Sequence, residues 1–156
     1  MGIYFESFAE NNFMLTIFYG EVIDEDLKAH TLEALQDKYN TPGKVGLAVI
    51  CKHASASHLS YKTIFSEGKR MQKAEFRKDG KLAIIAKSLV GYGLAKVYGV
   101  ATELDGMDET RVLHEEDLDQ ALQWLGVSDF SAEIKHKIDQ LEFSDSTEQK
   151  FTSKPH

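Results

Sequence analysis

The chain has 156 residues, a net charge of −7, 42% hydrophobic and 28% charged residues, which suits one domain able to bury roughly 70% of its extended surface. The negative balance argues against general nucleic-acid binding. The single cysteine, Cys51, excludes an internal disulfide and fits a reducing compartment, and no apolar run approaches the about 20 residues of a spanning helix.

In chain order, the opening "MGIYFESF" carries an acid and no basic region, so it reads as neither a signal peptide nor a myristoylation signal. "IYFESF" and "NFMLTIFYG" run apolar at strand length around Glu10-Asn11-Asn12, which predicts a hairpin. Asp24 is expected to cap a helix carrying Leu27, His30, Thr31, Leu32, Ala34 and Leu35 at helical spacing, stopped by Asn40-Thr41-Pro42-Gly43. "KVGLAVIC" is a short buried strand and "KHASASH" a polar loop. Tyr61, Ile64, Phe65, Gly68, Met71 and Gln72 recur near 3.6 residues, predicting a helix over 59–77 capped by Ser57 or Ser60. Asp79-Gly80 turns the chain into a strand, "KLAIIAK", and Ser88 opens a helix to 104. "TRVLH" is the last strand, and "DLDQALQWL" is a helix ended by Gly126. "SAEIKHKIDQLEF" reads as a short helix with Ile134, Ile138 and Leu141 on one stripe, and the polar residues after it as a tail.

This order, β-β-α-β-α-β-α-β-α with a C-terminal extension, predicts an α/β fold: one mixed, mostly parallel five-stranded sheet with helices mainly on one side. The expected division is a domain over 1–126 and a C-terminal helix and tail over 127–156.

Glycines 91, 93 and 99 raise the question of a nucleotide cradle. A dinucleotide fingerprint needs G-x-G-x-x-G after the first strand; here the third glycine falls too late and the motif follows a late strand. No Walker loop is present. Inside a helix each glycine costs about 1 kcal/mol against alanine, so close backbone packing or a hinge is the better explanation.

"AIIAKSLVGYGLAKVYG" resembles the SpoIIAA-like proteins, small bacterial relatives of the STAS domain and similar in outline to Sec14-type lipid-transfer domains. "GEVIDEDL" (Gly20 to Leu27) resembles their strand-to-helix signature and "DLDQALQWLG" (Asp117 to Gly126) their final helix. The match covers about residues 3 to 126. It implies a mixed sheet with helices on one side. Some STAS proteins carry a phosphorylatable serine in an Asp-Ser-Ser-Gly motif. "CKHASASHLS" stands at that place with Ser55, Ser57 and Ser60 but without the motif, so no phosphosite is assigned.

Several constellations were weighed for chemistry. Cys51, His53 and His58 match no standard zinc spacing. Ser55, Ser57 and His58 offer no oriented base or oxyanion site. Glu115, Glu116, Asp117 and Asp119 suit a helix start as well as a paired-carboxylate site. The resulting expectation is a non-enzymatic binding or regulatory module without metal or cofactor. Its small apolar or lipid-like ligand would lie between the helices over 59–77 and 88–104, against Tyr61, Ile64, Phe65, Met71, Leu89, Tyr92, Leu94 and Tyr98. The alternative is a protein-interaction domain of the anti-sigma-antagonist kind.

Residues 58–81 carry a net +4 against −11 for the remainder. Lys62, Lys69, Arg70, Lys73 and Arg77 are therefore expected to face an anionic membrane in transient contact, giving a cytoplasmic protein peripheral at the inner membrane surface. A homodimer is expected, with Ile134, Ile138 and Leu141 serving either a second copy or docking of the tail.

Overall fold

The computed structural model describes residues 2–103 and 109–152. They form five strands, β1 (Ile3–Phe8), β2 (Phe13–Phe18), β3 (Val45–Ile50), β4 (Lys81–Ala86) and β5 (Glu109–His114), in a single sheet of order β1-β2-β3-β4-β5. The first pair is antiparallel and the other three are parallel. Helices α1 (Asp24–Leu35), α2 (Tyr61–Gln72) and α3 (Leu89–Glu103) connect the parallel strands, and α4 (Leu118–Leu125) and α5 (Ser131–Thr152) follow β5.

The placement of the helices follows from the strand order. Each parallel connection steps one strand in the same direction, so crossovers of one hand put α1, α2 and α3 on one face. Met14 of β2 clusters there with Ala34 of α1 and Met71 of α2, and Leu82 and Ile84 of β4 cluster with Ala95 of α3. The opposite face would stay bare without the C-terminal helices. Phe13, Leu15, Ile17, Leu47, Val49, Ala83 and Ile85 bury instead against Ala121, Leu122, Leu125, Val127, Ile134 and Ile138. The sheet thus has three helices over one face and two over the other, and the buried cluster runs through residue 126 into α5.

Local chemistry sets most boundaries. In the β1–β2 connection Asn11 and Asn12 take positive φ, which asparagine tolerates better than most residues. Ile23, not Asp24, is the N-cap of α1. Asp26 accepts the Ile23 N–H at 3.1 Å, and Asp24 turns to α2, accepting from Ser60 N at 2.9 Å and Ser60 Oγ at 3.2 Å. Ser60 caps α2 by accepting from Thr63 N at 3.1 Å. Gly126 closes α4 at φ 75°.

Three helix ends differ from the sequence reading. Helix α1 stops at Leu35, ahead of Pro42-Gly43, and Asn40 Nδ2 donates to its last carbonyls, Ala34 O at 2.8 Å and Leu35 O at 3.4 Å. Helix α2 ends at Gln72 rather than 77: the chain re-enters as a 3-10 turn over Glu75–Arg77 that buries Phe76 and Arg77. No glycine or proline marks this end, so periodicity runs past it. Conversely, α5 continues to Thr152 where composition reads a tail. No proline intervenes before Pro155 and no glycine follows Gly126, so nothing interrupts the helical ladder.

Candidate functional site

Strand β3 alternates in an uneven way. Leu47 and Val49, facing α4 and α5, are each 1% exposed. Ala48 and Ile50, facing α1–α3 at the centre of the sheet, are only half-buried. A central strand under a helical layer is expected to be covered on both faces. The difference is a cavity of about 100 Å³ between this face and the helices.

Side-chain volume explains it. Ala48 on the floor, Gly91 and Ala95 from α3 and the loop residues Ala54 and Ala56 all line it, and all are small. Met14, Thr16 and Phe18 of β2 and Leu82 and Ile84 of β4 extend the floor; Leu27 and His30 of α1, Ile64 and Met71 of α2, and Leu94 and Tyr98 of α3 make the roof. The loop after β3 closes one end. Ser55 N donates to Gly20 O at 2.7 Å and Val22 N to Ser55 O at 2.9 Å, pinning 54–56 beside Val22.

Of the eight ligand residues expected from sequence, Ile64, Met71, Leu94 and Tyr98 line this cavity. Tyr61, Phe65 and Leu89 lie on the surface, Leu89 at 87% exposed. Tyr92 turns away to stack on His114, with ring centroids 4.3 Å apart. Val90, not among the eight, is both exposed and cavity-lining, so it stands at the rim.

The residue that sequence reading passed over is His30. Its ring meets Phe5 of β1 and Phe18 of β2 edge-on at 5.4 and 6.3 Å, and its buried Nδ1 has no hydrogen-bond partner among the described residues. Burial disfavours the imidazolium and pushes the His30 pKa down from 6.5 to about 4, so the ring is neutral at pH 7. On α1 it looked like one more position on a helical face. Only the pairing of β1 with β2 brings the two phenylalanines around it.

No family model matches the chain, and no curated protein matches it in sequence.

The glycines of α3 divide. A Cβ on Gly91 would lie 3.0 Å from both Ile50 Cγ2 and Ser88 Oγ, and one on Gly99 3.3 Å from Val112 Cγ2. These two permit close packing on the sheet. Gly93 faces open space, with nothing within 4 Å. Close approach does not explain it.

The groups weighed for catalysis are committed elsewhere. Ser55 and Ser57 hydroxyls bond each other at 3.2 Å, and exposed His58 pairs with Glu21 at 3.3 Å. Lys44, buried, holds Asp37 at 3.0 Å, Asn40 Oδ1 at 2.8 Å and Ser7 Oγ at 3.2 Å. Ser7 also bonds Asp37. Burial opposes the Asp37 charge, but the bonds from Ser7 and Lys44 hold its carboxyl below the usual range. Lys44 is thus ion-paired with Asp37. No cluster of three or more His, Cys, Asp or Glu able to hold a metal occurs among the described residues.

A second cleft of about 300 Å³ lies beside α4 and α5, where Val49, Ile85, Leu118 and Ile138 line it together with Lys87, Glu115, Glu116, Asp119, Lys135 and Asp139. Lys87 bridges Glu142 at 2.6 Å and Glu115 at 3.6 Å, and Lys135 holds Asp119 at 2.7 Å. Burial works against the Lys87 charge, but Glu142 and Glu115 keep its pKa above the usual lysine range. Both lysines of the cleft are thus held by carboxylates.

The basic residues expected to face a membrane also separate. Lys62, Lys69 and Lys73 are exposed. Arg70 is exposed but bidentate on Glu67, at 3.0 and 3.1 Å. Arg77 is not on the surface: it is 3% exposed and donates to Thr110 at 3.4 Å. The turn that ends α2 early carries it inward. Ile134 and Ile138 are buried in the chain's own core, with Leu141 packed beside them, so this stripe docks α5 on the sheet and is not free for a second copy. No helix among the described residues is long and apolar enough to cross a membrane.

Proposed function

We propose that the protein is a non-enzymatic binding module of the SpoIIAA-like kind, holding a small apolar ligand between the sheet and helices α1–α3. The observation that supports this is the incompletely buried apolar floor at Ala48 and Ile50, in the middle of a sheet whose other face is closed. Its size favours the small end of the range. A cavity of about 100 Å³ compares with roughly 300–1,000 Å³ for sites that enclose drug-sized ligands. A lipid-like ligand therefore requires α2 and α3 to part, whereas a small molecule does not.

The test is Ala48→Leu, which adds about three carbons where the cavity is. Filling it should raise stability by up to about 2 kcal/mol at roughly 0.8 kcal/mol per buried methylene, seen as a melting point several degrees higher. It should also abolish the toluene-induced NMR shifts expected at the Ile64 and Ile84 methyls of the wild type. A variant that still shifts with toluene, or loses stability through crowding, rules out ligand occupation of this space.

A second reading, transient contact with an anionic membrane, draws on Tyr61, Phe65, Leu89 and Val90, which are exposed at the N-terminal ends of α2 and α3 near Lys62 and Lys69. Such contact needs no swing of the packed face of α2, because these side chains already point outward.

A further inference from the structure

We infer that the cavity opens onto an anionic lipid bilayer, so that its apolar ligand passes between the cavity and the hydrocarbon of the membrane without crossing water. This rests on both readings above and joins them: the exposed patch read as a membrane contact is the rim of the site read as a ligand cavity.

The burial of the lining residues locates the opening. At the edge of the sheet where β3 and β4 begin, Lys44, Phe76 and Arg77 line the cavity and are buried. Lys81, at the same edge, sends its ammonium to Trp124 O on the other face of the sheet. At the edge where these strands end, Ala54, Ala56 and Leu59 are only partly buried, and Val90 is both a lining residue and 73% exposed. Strands β3 and β4 hand the chain to α2 and α3 at that edge, so the first turns of both helices stand beside the opening.

Seven large apolar side chains are exposed among the described residues, and four of them, Tyr61, Phe65, Leu89 and Val90, lie in the first two turns of α2 and α3. Each is next to the cavity wall in the chain: Tyr61 comes two residues after Leu59, Phe65 follows Ile64, and Leu89 precedes Val90. The charges around them name the partner. Lys62, Lys69 and Arg70 are exposed on α2 and Lys96 on α3, and Lys69 Nζ stands 5.8 Å over the Phe65 ring. The one acid of α2, Glu67, is buried and bound to Arg70, and the one acid of α3, Glu103, is at its far end. From the α1 side, Asp24 accepts from Ser60 and Glu21 pairs with His58. These two helices therefore present cations interleaved with apolar and aromatic side chains in a chain of net charge −7. That composition suits the surface of an anionic bilayer. A small apolar solute is concentrated in hydrocarbon and scarce in water, so an opening that meets the bilayer reaches the phase that holds it.

The experiment uses the full chain with fluorobenzene, a single apolar ring visible by fluorine NMR. Its exchange between cavity and solution is timed without vesicles, with phosphatidylcholine vesicles, and with vesicles of phosphatidylcholine and phosphatidylserine. Vesicles are kept far below the protein concentration, so that the chain visits them transiently and its resonances survive. Fluorobenzene should shift the Ile64 and Ile84 methyls. The chain should co-sediment with the anionic vesicles, and these should speed exchange several-fold where phosphatidylcholine does not. Tyr61→Ser combined with Leu89→Ser changes two exposed side chains that do not line the cavity. That variant should lose the acceleration and keep the affinity for fluorobenzene in vesicle-free solution. Anionic vesicles that hold the chain yet leave exchange unchanged overturn the inference, while the cavity and the membrane contact both stand. So does a double variant that keeps the acceleration. Equal acceleration by both kinds of vesicle overturns the anionic partner. A chain that sediments with neither kind overturns the inference together with the membrane reading and leaves the patch to a protein partner. Absence of any methyl shift overturns it together with the cavity.

Discussion

His30 should make the protein lose stability in mild acid, at a pH above that at which its carboxylates titrate. The imidazole has an ordinary pKa of 6.5, lowered by burial to about 4 in the folded chain. At pH 7 both states are neutral and the residue contributes no pH dependence. As pH falls below 6.5 the unfolded chain binds a proton that the folded chain refuses, so stability declines by up to about 1.4 kcal/mol per pH unit. Once pH passes about 4 the folded state is protonated too and the decline from this group ends. The interval spans about 2.5 pH units, which amounts to about 3 kcal/mol, a large part of the 5–15 kcal/mol typical of a domain. Asp24, lowered by the Ser60 backbone bond, and Asp37, lowered by Ser7 and Lys44 against the opposing effect of burial, act in the opposite window. Their contributions are present above the ordinary carboxylate pKa and are lost only below it. Urea unfolding at pH 7.0, 5.5 and 4.0 on wild type and His30→Leu separates the two. The free-energy difference between the proteins should shift by about 3 kcal/mol in favour of the variant across that range. A difference constant with pH would mean that His30 accepts a proton as readily folded as unfolded, and that burial does not disfavour its charge.

Two further predictions concern helix α3 and the surface beside it. Gly91→Ala should destabilise, because its Cβ would crowd Ile50 and Ser88 at 3.0 Å, whereas Gly93→Ala, with nothing within 4 Å, should stabilise by about 1 kcal/mol; thermal unfolding of the pair checks the opposite signs, and a loss in both would mean that Gly93 serves a conformation other than this helix. Liposome co-sedimentation at low salt should show weak binding to anionic vesicles that vanishes at 0.5 M salt and after Lys62, Lys69 and Lys73 are together replaced by glutamine, each cation near a charged bilayer contributing up to about 1 kcal/mol. Equal pelleting with neutral vesicles would remove the electrostatic part of that reading.

The parts of this molecule legible in sequence are those written by local repetition. Strands β2, β3 and β4 declare themselves as short apolar runs between turn residues, and Ser60, Ser88 and Gly126 mark helix ends by chemistry that acts within a few residues: Ser60 Oγ on Thr63 N, Ser88 Oγ on Gly91 N, and a left-handed Gly126. The early end of α2 is not of that kind. It is set by Phe76 and Arg77 finding burial after the turn, a gain that belongs to distant partners such as Met14 and Thr110. The same holds for the C-terminal helix. Its stripe is visible in sequence, but whether Ile134 and Ile138 serve a second copy or this chain depends on which sheet face the three crossovers leave uncovered, and that is a consequence of strand order.

The candidate site is the extreme case, since it is made by what is missing. Ala48, Gly91 and Ala95 are each unremarkable on their own element, and a cavity arises only because the β3–β4 register and the packing of α3 set them together. Protein interiors are otherwise filled to crystal-like density, so small residues converging at the centre of a sheet forgo contacts that larger side chains would supply. His30, also among the lining residues, carries a covered Nδ1 atom without a partner. An apolar body seated there would restore the lost contacts. Ala48→Leu should therefore recover the packing part without any ligand, while leaving the Nδ1 atom of His30 without a partner.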